Sequence, residues 1–462
     1  MIFVGLGFVV LGLIHFYLWK RLVRDPLRPG RLRRVGTVVA IVLGVLVPAT
    51  LIGARTDSGQ WLAWPGYVWL ALMFYLLVTL AVLEIPRLAV VLLWRSRRRT
   101  GKASATAAAK SEPDGGAAAQ PDASVSAAAK SAPAPSPAGN AAAKNDPAPS
   151  AAVSVAAENE AAAGKRSEAS KRSEAGKKSG DSKKSGDGDG VDRRLVLARG
   201  MAIFAGLTAA GITGYGMKTA LGPPRLDRVT MPLAKLPRAM DGTRLAVVSD
   251  IHLGPLTGTR HVGRIVDLIN SVQADIVCVV GDLVDGSVAE LGRFATPLAD
   301  IESRSGAYFV TGNHEYYSGF EPWIEEVERL GVRPLRNERV ELGGLDLAGV
   351  NDLGGSQYGD APDFRKALGD RDQTRPVVLM AHQPAAAHQA APFGVDLQVS
   401  GHTHGGQMAP FNLLVRLNQP VVSGYGKVDG VPVYVTNGAG FWGPPVRVGA
   451  PPQVTVVDLR AV

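Results

Sequence analysis

Five short polar motifs punctuate the second half of the chain. They read Ser249-Asp250-Ile251-His252, Gly281-Asp282-Leu283-Val284-Asp285, Gly312-Asn313-His314-Glu315, Ala381-His382-Gln383 and Gly401-His402-Thr403-His404. Five of the seven histidines beyond residue 225 fall inside them. Asp250, His252, Asp282, Asn313, His382, His402 and His404 together offer enough oxygen and imidazole donors to hold two metal ions side by side. A two-metal site is suited to cleaving phosphoesters, because the pair of cations can stabilise both the attacking and the leaving oxygen. Imidazole with carboxylate suits Mn, Fe, Zn, Co or Ni, as divalent or trivalent ions, and no thiolate narrows the choice.

Local spacing supports each motif differently. Asp250 and His252 are two apart at a strand end, where extended residues i and i+2 project to one side; His402 and His404 repeat the pattern. Gly401, Gly405 and Gly406 permit irregular backbone around the second pair. Asp282 is placed to bridge two ions, Asn313 offers a neutral carbonyl oxygen, and His314 beside it is suited to general acid work. Taken singly, each motif has a plainer reading. Asp-x-His is often accidental, an isolated His382 would be a hydrogen-bonded core residue, and Asp285 reads as a turn or helix cap. The ordered set is what carries the metal reading. His261 and His388 match no motif and read as structural.

Runs of β-branched residues must position these groups. Strands are expected at 244–249, 276–280, 307–310, 345–350, 377–380, 395–400, 431–436 and 454–459. Helical patterns lie between the early ones, at 261–271 and 322–330. Alternating strands and helices define an α/β fold, in which ligands bind at the carboxyl ends of strands. The motifs sit at those ends. Cys278, the lone cysteine, lies inside an apolar run and reads as a small core residue.

The net charge of +9 is unevenly spread. Residues 225–462 carry 21 basic and 26 acidic side chains, and residues 1–224 carry 29 and 15. The excess flanks apolar runs at 2–19, 35–53 and 66–83, each near the roughly 20 residues that span a bilayer. Basic residues crowd 20–34 and 95–102, whereas the intervening loop has only Arg55, so the crowded loops are expected on the cytoplasmic side. No nucleic-acid partner is expected from this distribution. Residues 1–99 therefore read as a membrane region with three transmembrane helices, the third continuing past Pro86 as a tilted helix or an interfacial piece. His15 in the first run reads as a helix-interface residue. Residues 100–192 are rich in Ala, Ser, Pro and Lys, with repeats such as Ala-Ala-Ala-Lys, and read as a disordered linker unable to offset its ordering entropy. Within 193–224, an apolar stretch after Arg193-Arg194 reads as a fourth span or a signal anchor; paired arginines also open export signals, but the internal position favours an anchor. Either places residues 225–462 outside the cytoplasm.

The order Asp-x-His, Gly-Asp-x-x-Asp, Gly-Asn-His-Glu, His, Gly-His-x-His is similar to the calcineurin-like metallophosphoesterase superfamily, and the Gly-His-Thr-His-Gly-Gly-Gln ending resembles its membrane-associated bacterial branch. The resemblance covers about 240–460. It implies a four-layer α/β/β/α sandwich with a dinuclear metal centre at the strand ends. It implies that Asp250, His252, Asp282 and His404 hold one ion, that Asp282, Asn313, His382 and His402 hold the other, and that a hydroxide between them attacks phosphorus. His314 would then protonate the leaving oxygen, with Asn313 beside it in the catalytic pair. The family often has Asp where this chain has Glu315, a position next to the ligand set.

The expectation is a multi-pass cell-membrane phosphohydrolase acting on a phosphomonoester or phosphodiester, with its catalytic domain outside the cytoplasm. Alternatives are a pyrophosphohydrolase on lipid-linked or nucleotide diphosphates and a non-catalytic tethered binding module. Its partners are the phosphoester substrate and the lipid bilayer, with no obligate protein partner evident. Aromatics at 316–323 and 441–442, with the segment 351–358, form either a pocket wall for a lipid, sugar or base, or plain packing.

Overall fold

The computed structural model describes residues 2–54, 58–108 and 188–462. Among the described residues, those of 2–91 and 188–462 form one compact unit. Among the described residues four long helices come first: α1 (Ile2–Trp19), α2 (Arg31–Gly53), α3 (Ala63–Ala108) and α4 (Gly188–Leu221). Within them Gly5–Arg24, Arg31–Gly53, Gln60–Val90 and Arg193–Leu221 are long and apolar enough to cross a membrane. The third apolar run is therefore one continuous helix through Pro86, and it reaches Ala108, inside the segment read as linker. At its other end α4 begins at Gly188, so 188–192 are helical as well, and the remainder of the segment read as linker, 109–187, lies outside the described residues.

The basic end of the helix bundle is tied together by ions and dipoles. Arg21 Nη2 meets Glu84 Oε1 at 2.6 Å, Arg87 Nη1 meets Glu84 Oε2 at 2.6 Å, and Arg199 Nε donates to the Pro26 carbonyl at 3.0 Å. At the far end of α4, Gly216 O accepts from Arg447 N at 3.0 Å. The two ties lie about 26 Å apart along α4, at 1.5 Å per residue. The basic loop and the strand domain thus occupy opposite ends of this helix.

The strand domain has two six-stranded sheets. In chain order the strands are β1 (Arg225–Leu233), β2 (Arg244–Val248), β3 (Ile276–Val280), β4 (Ala307–Val310), β5 (Val332–Pro334), β6 (Glu338–Leu342), β7 (Leu345–Gly349), β8 (Val377–Met380), β9 (Leu397–Ser400), β10 (Gly424–Val428), β11 (Val431–Val435) and β12 (Gln453–Ala461). One sheet runs β1-β12-β2-β3-β4-β5 and the other β10-β11-β9-β8-β7-β6. Within them β2, β3, β4 and β5 are mutually parallel, as are β7, β8, β9 and β11.

Alternation along each strand builds the layers. Leu245, Val247, Ile276, Cys278 and Val280 face the second sheet and join Leu345, Leu347, Val378, Met380, Leu397 and Val399 in a core between the sheets. Ala246, Val248, Val277 and Val279 face the other way. They pack under α5 (Thr259–Ser271), α6 (Val288–Ala295) and, through Trp323 and Val327, under α8 (Phe320–Arg329), which follows the short α7 (Asn313–Ser318). On the outer face of the second sheet, Ala348, Val377 and Leu379 pack against α9 (Phe364–Leu368) and α10 (Ala387–Ala390). This is the four-layer α/β/β/α sandwich.

Trp323 is fully buried, and its Nε1 donates to Gly286 O at 2.8 Å, pinning α8 to the loop that carries Asp285. Trp323→Ala is expected to lower unfolding free energy by about 3–5 kcal/mol. The check is the denaturant midpoint of the detergent-solubilised full-length protein; an unchanged midpoint would show that α8 is not anchored there.

Candidate metal centre

All five motifs lie just past the carboxyl ends of β2, β3, β4, β8 and β9. The backbone there is not extended. Asp250 (φ 54°), His252 (φ 49°), Asp282 (φ 52°), His402 (φ 71°) and His404 (φ 51°) are all left-handed. The i, i+2 pairs expected from strand alternation converge instead through left-handed backbone at both members of each pair. Each such residue stores on the order of 1–3 kcal/mol of strain. Neighbouring chain holds the turns: Asp250 N donates to Gly281 O at 3.0 Å, His252 N to Asp282 O at 3.2 Å and Gly401 N to His382 O at 3.0 Å. Close approach requires Gly401, because a Cβ there would collide with Ser249 and Asp250.

The side chains gather in three groups whose ligand atoms lie within 4.8 Å of one another: Asp250, His252 and His404; Asp282, His382 and His402; and His252, Asp285 and His314. In the first, His252 Nε2 faces His404 Nε2 at 2.9 Å, and His404 Nε2 is 3.4 Å from Asp250 Oδ1. In the second, His382 Nε2 is 3.1 Å from Asp282 Oδ2. The same Asp282 oxygen is 3.8 Å from His252 Nε2, so it lies between the two groups. Asn313 Oδ1 accepts from His402 Nδ1 at 3.0 Å.

The donor set fits cations. His382 donates Nδ1–H to the Val280 carbonyl at 2.8 Å, which turns Nε2 inward toward the Asp282 carboxylate at 3.1 Å. Fixing one ring nitrogen on a carbonyl while the other faces the ion is the usual arrangement of metal-ligating histidine. Asp250, Asp282 and Glu315 are also buried together, leaving carboxylates that only hydrogen bonds, imidazolium or cations can compensate.

Electrostatics follow from that crowding. Burial opposes the charged forms of both Asp282 and His382, yet the attraction between them holds Asp282 well below and His382 well above their ordinary values. Burial also opposes protonation of His252, but Asp285, Asp282 and Asp250 push it up to about 9. His402 is pulled down to about 4 by burial and by the charge of His382. His404 is held well below the usual range by burial, Arg447 and His252.

Three contributors were not apparent as such in the sequence. Asp285 is no helix cap: Ser287 is the N-cap residue of α6, and Ser287 N donates to Glu290 Oε2 at 3.0 Å. Asp285 Oδ1 instead accepts from His252 Nδ1 at 2.9 Å and His314 Nδ1 at 2.6 Å, joining a donor histidine to the candidate acid. Its spacing inside Gly-Asp-x-x-Asp was the available signal. Glu315 is a clamp, accepting from Asp282 N at 2.9 Å, Leu283 N at 2.7 Å and Gly312 N. Arg447 is fully buried and donates to His404 Nδ1 at 3.0 Å and His404 O at 2.8 Å; no local motif marks it.

His314 N donates to Asp282 Oδ1 at 2.9 Å, and its ring lines a cavity of about 380 Å³ with His252, Asp285, Tyr317, Phe441 and Trp442. Tyr317, Phe441 and Trp442 are thus wall, whereas Tyr316, Phe320 and Trp323 are buried packing. His388 forms a surface pair with Asp429 at 2.7 Å, and His261 is buried beside Phe441, its ring centroid 6.3 Å away. Burial pushes the Cys278 thiol up to about 12, which leaves no thiolate.

The family model described as calcineurin-like phosphoesterase matches residues 243–406. The chain is 38% identical over 272 residues to a Danio rerio protein named transmembrane protein with metallophosphoesterase domain, covering 56% of this chain and 62% of that one. It is 38% identical over 256 residues to an uncharacterized metallophosphoesterase of Helicobacter pylori (55% and 68%), and 33% identical over 243 residues to one of Aquifex aeolicus (51% and 92%). The chain belongs to the calcineurin-like phosphoesterases, a class of metal-dependent phosphoesterases, and is a membrane protein. It spans 62% of the length of the Danio rerio relative.

Glu315→Ala orphans three backbone N–H donors, two of them on Asp282 and Leu283. At roughly 1–3 kcal/mol for each buried unsatisfied group, a loss on the order of 4 kcal/mol is expected. Chemical denaturation of the metal-free protein checks it; a loss confined to activity would show that the clamp is not structural.

Proposed function

We propose that residues 225–462 form a dinuclear phosphohydrolase that cleaves a phosphomonoester or phosphodiester. Asp250, His252, Asp282 and His404 would hold one ion, and Asp282, Asn313, His382 and His402 the other. The observation that carries this is the position of Asp282 Oδ2 between His382 Nε2 at 3.1 Å and His252 Nε2 at 3.8 Å. When bound, such ions supply Lewis acidity toward phosphoryl oxygens and a more acidic water. The chain's own residues do the rest. Asp285 holds Nδ1 of His314 and thereby orients the ring at the cavity; His314 donates a proton to the leaving oxygen. The Asn313 amide, steadied by His402, lies beside it as a neutral donor.

Asp282→Asn is expected to abolish hydrolysis of both 4-nitrophenyl phosphate and its bis-ester. With an alkyl phosphate ester added to that panel, His314→Ala should cost about 10²–10⁴-fold on the alkyl ester and far less on a 4-nitrophenyl ester, whose leaving group needs little protonation. Full activity in Asp282→Asn, or an equal loss on both leaving groups in His314→Ala, contradicts the respective role.

Metal uptake should compete with protons. His252 in the metal-free fold titrates near 9 against an ordinary 6.5. Its raised value means that its proton stabilises the metal-free fold fully below pH 6.5, a contribution lost as pH rises through about 9. Mn affinity should therefore weaken as pH falls across that window, by roughly tenfold per pH unit for each proton displaced. Calorimetry in buffers of different ionisation enthalpy reads the proton release directly; none would remove His252 from the ligand set.

The membrane orientation in this reading keeps the basic loop in the cytoplasm and residues 225–462 outside it. Reporter fusions within 109–187 and at the C-terminus should report opposite sides; a cytoplasmic C-terminal reporter inverts the assignment.

A further inference from the structure

The cavity above His252, Asp285 and His314 is not built by the strand domain alone. Ala54 and Gln60 at the α2–α3 turn and Tyr67 in the first turns of α3 form part of its wall. Tyr67 also packs against the Gly443 position, beside Trp442. At the same junction Arg447, which grips His404, is tied by its backbone to Gly216 of α4, and a side chain at Gly216 would meet Val446 and Val448. The membrane-spanning helices are thus in the catalytic cavity and in contact with the segment that supports a candidate ligand. Anchoring alone would require only the second contact.

Two further features lie beside it. Seven residues past His404 the chain projects Phe411, Leu413, Leu414 and Leu417, which are 47%, 58%, 58% and 83% exposed, around the short helix Asn412–Val415. Ala409 and Pro410, just before it, line an apolar cleft of about 490 Å³ with Tyr75, Ile212 and Tyr215 of α3 and α4. An apolar projection next to spanning helices has lipid as its natural neighbour.

Resting on the phosphoesterase reading, we infer that the substrate is a membrane lipid carrying a phosphomonoester or phosphodiester. Its chains stay in the bilayer while its phosphate enters the cavity past Gln60, Tyr67 and Trp442. Hydrolysis places a water oxygen on phosphorus, breaks one P–O ester bond and leaves the proton on the departing alcohol oxygen.

The test uses the Mn-loaded full chain in dodecyl maltoside micelles with two matched pairs. The diesters are hexadecyl and ethyl 4-nitrophenyl phosphate; the monoesters are phosphatidic acid and glycerol 3-phosphate. In whichever pair is cleaved, kcat/KM for the long-chain member should exceed that for the short one by about tenfold or more, with the rate following its mole fraction in the micelle. Tyr67→Ala and Trp442→Ser should each reduce that ratio by about threefold or more. Equal or better cleavage of the short-chain member leaves a phosphoesterase of soluble substrates and overturns the inference alone. No turnover of any of the four overturns the phosphoesterase reading as well. As a measure independent of turnover, a hexadecyl phosphonate with a diazirine at its headgroup should label peptides containing 54–67 and 441–443. Labelling confined to the lipid-facing spans contradicts the proposed entry.

Discussion

Buried negative charge at the strand ends is the constraint on which the rest of this protein turns. Asp250, Asp282 and Glu315 are almost wholly removed from solvent within one cluster. Desolvated carboxylates persist only where donors and cations surround them. The chain supplies the donors from its backbone: Glu315 takes Asp282 N and Leu283 N, Asp282 takes His314 N, and Asp250 takes His402 N. To aim those amides, the backbone adopts left-handed turns at five donor residues, and Gly401 is needed where two of the segments touch. Four histidines then face the carboxylates. Two stacked sheets with parallel centres make this possible, since they deliver the carboxyl ends of β2, β3, β4, β8 and β9 to one edge.

The same loops couple the site to the membrane region. Arg447 joins three things at once: His404 through its side chain, the Asn437 and Gly440 carbonyls through the same guanidinium, and α4 through its backbone. A guanidinium buried in this way is satisfied entirely by carbonyls and one imidazole nitrogen, so it acts as a rigid joint and not as a free charge. Displacement of α4 would be felt at His404 through this joint. Burial and fixed hydrogen bonds are what allow such short-range coupling between a long apolar helix and a polar site.

Much of the architecture was legible because local pattern and tertiary need agreed. The eight expected strands are all present, and so are the helices at 259–271 and 320–329, because buried parallel strands require runs of Val, Ile and Leu. The four strands not read were β1, β5, β6 and β10. Each is at a sheet edge, where one side needs no apolar partner. Accordingly β6 reads Glu-Arg-Val-Glu-Leu, β10 is broken by glycine and β5 is three residues ending in proline. The role of Asp285 is hidden for a related reason: a carboxylate three residues past Gly-Asp has a common local use as a cap, and only the fold brings His252 and His314 to it.

The sequence by itself determined the class of chemistry and the donor types, because ligating atoms are a property of side chains and their order survives any fold that keeps strand ends together. It also determined which segments are apolar enough to enter a bilayer. The tertiary structure alone decided how the donors group, that Asp282 lies between the groups, and that Glu315 and Arg447 support them. It alone decided that Ala54, Gln60 and Tyr67 enter the cavity wall. Those facts depend on distances between residues up to several hundred positions apart, and no local spacing encodes such distances.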